Sequence, residues 1–131
     1  MSKKLNNIEL KAIRQGLGLS VAEACDIVNV KKRTWQYWEA GRSPVPDDVS
    51  ETFLKFKKDY IIALDNLLKD ITETHIVLPF YKEFEDFCQK TQNNSIVKWR
   101  IYQSVISYIM LTRYEISLDD TAKIPKSFLL K

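Results

Sequence analysis

Helix start and stop signals are packed so densely into residues 1–41 that a cluster of short helices is the fold that accommodates them. Asn7 is placed to cap a first helix whose Ile8, Ala12 and Ile13 share one face, and Gly16 ends it. Ser20 with Glu23 three residues on forms a capping box, in which side chain and backbone satisfy each other's orphan donors. The helix that follows carries Val21, Ala24, Cys25 and Val28. Asn29 stands where a tight turn needs left-handed backbone, which asparagine tolerates better than other side chains. A third helix then runs from about Lys32 through Ala40, with Gly41 as its left-handed stop. Three short helices, the second and third joined by a very short turn, describe a helix-turn-helix domain over residues 1–45.

The segment RSPVPDDV breaks the helical run with two prolines, and Pro46 with Asp47 and Asp48 suits the start of a new helix. Beyond it, residues 46–115 read as a second, helical domain. Phe53, Phe56, Tyr60, Leu64, Leu67 and Ile71 recur at spacings of three and four, which predicts a long amphipathic helix. Leu54, Ile61, Ile62 and Leu68 widen its stripe enough to need cover on two sides. A subunit interface supplies the second cover, so Phe53, Phe56, Tyr60, Leu64 and Leu67, with Trp99 further on, are the expected dimerisation residues. HIVLPFY is short, β-branched and broken by Pro79, as an edge strand would be. Phe84, Phe87 and Cys88 fit a short helix. Ile96, Trp99, Tyr102, Val105, Ile106, Ile109 and Met110 fit another that is apolar on most sides, where strand and helix are hard to separate. Residues 116–131, with Asp119, Asp120 and Pro125, lack a sustained period and read as a loosely held tail. The fold class is therefore mainly α, with one short edge strand.

A chain of 131 residues with 45% hydrophobic and 28% charged residues buries a real core and stays in solution. No apolar run approaches the ~20 residues of a membrane span, and MSKKLNN has no apolar signal core, so the expected compartment is the cytoplasm. Cys25, Cys88 and His75 match no metal-ligand spacing, and neither metal nor cofactor is expected. Enzyme readings fare no better. GLGLSV lacks a third glycine and a preceding strand, and the pairs Asp47–Asp48 and Asp119–Asp120 do not share a helix face. His75 has no visible acid or nucleophile partner, so no catalytic residue is assigned. NNS at Asn93–Ser95 fits a glycosylation acceptor that a cytoplasmic protein would not use.

Charge is divided unevenly. Residues 1–46 hold eight Lys or Arg against four acids, for +4, and the remainder twelve against thirteen, for −1. A front part facing phosphate fits that division, although charge runs also serve simply to solvate a face. Within the front part the chemistry falls to KKRTWQYWEAGR. Trp35 and Trp38 share a face and are expected to pack on the first two helices. The opposite face presents Lys32, Arg33, Gln36 and Tyr37, with Lys31 ahead of them. Arginine pairs in bidentate fashion with guanine and glutamine with adenine, while tyrosine offers a hydroxyl and a ring for a thymine methyl.

GLSVAEACDIVN followed by RTWQYWEAG resembles the helix-turn-helix of phage-repressor-like (lambda-repressor-like) regulators. WQYWEAGRSPVPDDV, with IRQ ahead and VKWRIYQSV behind, resembles more closely the YdiL-like proteins and anti-CRISPR-associated autorepressors, from about Leu5 to Tyr108. The resemblance implies a homodimer with an N-terminal helix-turn-helix and a C-terminal dimerisation part, bound to double-stranded DNA at an inverted repeat, often in its own promoter. It implies base reading by Arg33, Gln36 and Tyr37, with Lys32 beside them, and an ion pair between Arg14 and Glu39. Val21 stands where many such proteins carry a phosphate-binding glutamine, which shifts phosphate anchoring to Ser20, backbone amides, Lys31, Lys32, Thr34 and Arg42. Cys25 replaces a usual alanine and suits tight packing. Two other readings use the same features: an antitoxin-like module that holds a protein partner, and an RNA-binding regulator that grips a hairpin with the basic face.

Overall fold

The computed structural model describes residues 4–71, 76–113 and 116–122; His75 and Pro125 lie outside them. The described elements are α1 (Asn7–Gly16), α2 (Val21–Val28), α3 (Lys32–Glu39), α4 (Asp47–Asp70), β1 (Ile76–Leu78), α5 (Phe84–Thr91), α6 (Ile96–Thr112) and β2 (Ile116–Leu118). No helix among the described residues is long and apolar enough to cross a membrane. The chain forms two compact units, Met1–Lys58 and Asp59–Lys131.

In the front unit the local signals act largely as expected. Ser20 Oγ accepts from the Glu23 amide at 3.0 Å, and Glu23 Oε1 accepts from the Ser20 amide at 2.9 Å. Asn29 is left-handed at φ 57°, and Gly41 follows α3 at φ 78°. The cap of α1 is Asn6, not Asn7. Asn6 pairs with Glu9 in a second capping box, at 2.8 and 3.0 Å, because the box needs an acid three residues on. Asn7 instead donates through Nδ2 to the Glu39 carbonyl at 3.4 Å, tying α1 to the end of α3. The buried face of α1 is also turned from the expected one. Leu10 and Arg14 point inward, while Ile8 is 71% exposed and Ala12 is exposed.

The core of the front unit gathers Leu10, Leu17, Leu19, Ala24, Cys25, Trp35 and Trp38, and it extends through Val45 and Val49 to Phe53. Trp35 meets Trp38 edge-on at 5.5 Å and Phe53 at 5.2 Å between ring centroids. Leu5 donates its amide to the buried Ser50 Oγ at 3.0 Å, strapping the N-terminal segment onto α4. The front unit therefore runs on past the prolines, and the start of α4 closes it as a fourth helix. Phe53, expected at a subunit interface, is wholly buried here because its ring fills the space beside Trp35.

In the rear unit β1 and β2 pair in parallel, with Ile76, Val77 and Leu78 opposite Ile116, Ser117 and Leu118. Residues read as a loose tail thus begin with a strand. Asp119 continues the ladder by donating its amide to the Leu78 carbonyl at 2.9 Å. Parallel neighbours need a long connection, and α5 and α6 lie within it. α6 buries Trp99, Ile101, Tyr102, Val105, Ile106 and Ile109, which explains why its apolar residues cover most sides. Its polar atoms are satisfied inside. Trp99 Nε1 donates to the Tyr81 carbonyl at 3.1 Å, and the Tyr102 hydroxyl donates to the Pro79 carbonyl. Trp99 and Leu67 are accordingly interior residues of this unit and Tyr60 and Leu64 are half-buried in it, as Phe56 is in the front unit.

Candidate nucleic-acid interface

α3 has two faces of different chemistry. Trp35 and Trp38 point inward at 0% and 6% exposure. Lys31, Lys32, Arg33, Thr34 and Gln36 are exposed on the other side, and Tyr37 is half-buried among them. The inward face is held by more than packing. Arg14 donates through Nε to Glu39 Oε2 at 2.6 Å and through Nη2 to Oε1 at 3.1 Å, a bidentate pair with both side chains 11% exposed. Trp35 Nε1 donates to the same Oε2 at 2.7 Å, and Arg14 Nη1 reaches the Leu19 carbonyl at 2.9 Å. One carboxylate and one guanidinium so fasten α1, α3 and the loop before α2. Glu39 is turned inward, away from the exposed row.

α3 also begins differently from its neighbours. α1 and α2 each carry a capping box with glutamate in the first turn; α3 has Lys31 at its cap position, no side-chain cap bond and no acid in its first turn. Orphan amides and the positive helix end coincide there with two exposed lysines. That arrangement opposes the helix dipole, and an incoming anion relieves it. At α2 the Ser20 hydroxyl is engaged as a cap, and the Glu23 carboxylate beside it weakens this end as a phosphate site.

Three side chains of the exposed face form a constellation. Arg33 Nε donates to the Tyr37 hydroxyl at 2.9 Å. The guanidinium carbons of Arg33 and Arg42 lie 5.6 and 5.3 Å from the centre of the Tyr37 ring. The spacing of four between Arg33 and Tyr37 was a sequence signal for the first contact; the second depends on the turn at Gly41, which brings Arg42 back beside α3. Lys4, which sequence reasoning did not single out, joins Arg42 in lining an open cleft of about 400 Å³ with Asn7 and Ser43. Lys4 pairs across 3.7 Å with the exposed Asp47.

Cys25 is buried, and desolvation, with Asp26 and Glu39 adding and Lys32 opposing, pushes its thiol up from the ordinary value. A thiol held protonated is a weak nucleophile, so its position fits packing. Among the described residues, no three His, Cys, Asp or Glu side chains cluster to hold a metal ion.

The profile of the Aca2/YdiL-like family matches residues 5–118, spanning both units. The Aca2 repressor of Pectobacterium phage ZF40 is 38% identical over 105 residues, which cover 77% of this chain and 89% of that protein. The uncharacterized protein YdiL of Escherichia coli (strain K12) is 24% identical over 105 residues, with the same coverage. On the extent of the profile match and the identity to the phage protein, this chain belongs to the Aca2/YdiL-like family.

Proposed function

We propose that this protein is a homodimeric transcriptional repressor that lays α3 into the major groove of each half of an inverted repeat. The exposed row Lys31, Lys32, Arg33, Thr34, Gln36, on a helix whose other face is locked by Trp35 and Glu39, carries this reading. The relative named a repressor supports the direction of regulation. Arg33 and Gln36 are assigned to base edges, and Lys31, Lys32, Thr34 and Arg42 to phosphates. In a dimer the two copies of α3 would stand ~34 Å apart, one turn of DNA. Occupying a promoter would then block transcription. The test is an anisotropy titration against the inverted repeat upstream of the protein's own coding sequence, with a scrambled duplex and an RNA hairpin as competitors. A preference of ~10³-fold or more for the repeat is expected; equal, steeply salt-dependent binding to all three would overturn the proposal.

Arg33→Ala and Gln36→Ala are each expected to lower discrimination by about 1–3 kcal/mol at one base pair per half-site. Titrations against singly substituted repeats read this directly. For Arg42→Ala the expected loss is nearly uniform across sequences, with a shallower slope of log affinity against log salt, because phosphate contacts carry no base information.

Dimerisation is assigned to the rear unit, which exposes Ile61, Ile62, Tyr108, Met110 and Leu111, the last at 86%. Burial, with Tyr108 adding, pushes the half-buried Tyr60 phenol up from its ordinary value. Leu111→Asp is expected to shift sedimentation equilibrium from dimer toward monomer at micromolar concentration while leaving the fold intact. An unchanged dimer would exclude Leu111 from the interface.

A further inference from the structure

We infer that Tyr37 is a positioning residue for Arg33, holding its guanidinium so that the Nη1 and Nη2 edge is presented to a guanine. This rests on the operator-reading proposal and changes one role within it. The sequence assigns Tyr37 a direct contact with bases, but in the structure its hydroxyl already accepts from Arg33 Nε at 2.9 Å. The Arg33 guanidinium carbon lies 5.6 Å from the ring centre of the same tyrosine. An exposed arginine otherwise spreads over many rotamers, and ordering it on DNA costs entropy. The bond at Nε and the ring contact restrict that freedom before DNA arrives.

The bond also selects a mode of recognition. A guanidinium can meet two acceptors side-on, through Nε and one Nη, or end-on, through both Nη atoms. With Nε–H engaged by Tyr37, the end-on fork remains, and guanine offers it O6 and N7 in the major groove. Arg42 lies 5.3 Å from the same ring centre, so a single aromatic side chain orders two cations. Their mutual repulsion is relieved when a polyanion enters.

The test is a double-mutant cycle of Arg33→Ala and Tyr37→Phe, titrated against the inverted repeat and duplexes with one base pair substituted per half-site. Tyr37→Phe keeps the ring and removes the acceptor. Discrimination is expected to fall about threefold to tenfold at the guanine position that Arg33→Ala also relaxes, and hardly elsewhere. In the Arg33→Ala background, Tyr37→Phe is expected to change affinity by less than about twofold. The same loss with Arg33 removed, or a loss confined to a thymine position, would overturn the inference and return Tyr37 to direct reading. A second measurement needs no DNA: Arg33 Nε–H exchange, followed by NMR, is expected to quicken in Tyr37→Phe. Unchanged exchange overturns the positioning role. If exchange quickens but the unsubstituted protein does not prefer the repeat to a scrambled duplex, the operator reading fails, and guanine with it.

Discussion

Glu39→Ala is expected to lower the free energy of unfolding by about 3–5 kcal/mol, measured by urea denaturation of the purified protein. The cost arises less from the lost attraction than from what is left behind. Arg14 would keep its bond to the Leu19 carbonyl but remain a buried cation without its carboxylate, and the Trp35 indole N–H would lose its acceptor. Replacing both members, as in Arg14→Met with Glu39→Leu, is expected to recover the part of the loss that comes from the unpaired Arg14 charge, since a well-packed apolar pair can match a buried ion pair, while the part due to the Trp35 N–H without its acceptor remains. The same variants separate a structural role from DNA contact. At a temperature where Glu39→Ala stays folded, its discrimination between operator and substituted operator is expected to be unchanged, because the carboxylate faces Arg14 and Trp35. A base-selective loss with little change in stability would overturn the structural role.

That pair also shows where the sequence could be read and where it could not. Signals confined to one turn of chain were legible. Ser20 and Glu23 announce their capping box at a spacing of three, and Asn29 and Gly41 mark left-handed stops that other side chains resist. The error at Asn7 has the same logic, since only Asn6 has an acid three residues on. Long-range choices were less legible. Arg14 and Glu39 lie on different helices, and it was the family resemblance, not their spacing, that joined them. The buried face of α1 is the one that carries Leu10 and turns Arg14 toward Glu39 of α3, so Ile8 is left outside although the local period allowed it inside. β1 and β2 are three residues each and find one another across two helices, with too little periodicity in either to announce a pairing. The candidate interface followed the same division. Which residues of α3 are exposed, and that Arg33 and Tyr37 stand one turn apart on it, could be read from a wheel, whereas the approach of Arg42 to the Tyr37 ring required the folded turn.

Trp35→Ala is expected to be as damaging as Glu39→Ala, by about 3–5 kcal/mol, but for a different reason. The indole is fully buried, its ring touches Trp38 and Phe53, and the truncation opens a cavity that surrounding helices refill only in part. α3 has 8 residues, short of the roughly 12–15 at which an isolated helix becomes even marginal in water. Its existence as a helix, and the direction in which Arg33 and Gln36 point, therefore depend on what anchors its inner face. Trp35→Phe divides that anchor into parts. It keeps much of the ring contact but removes the donor to Glu39 Oε2, so a loss of about 1–3 kcal/mol is expected. Operator affinity should follow the folded fraction in both variants, with no change in base preference among the molecules that remain folded. If Trp35→Ala instead costs less than about 1 kcal/mol in urea denaturation, the Arg14–Glu39 pair alone holds α3 in place, and the aromatic contacts add little to it.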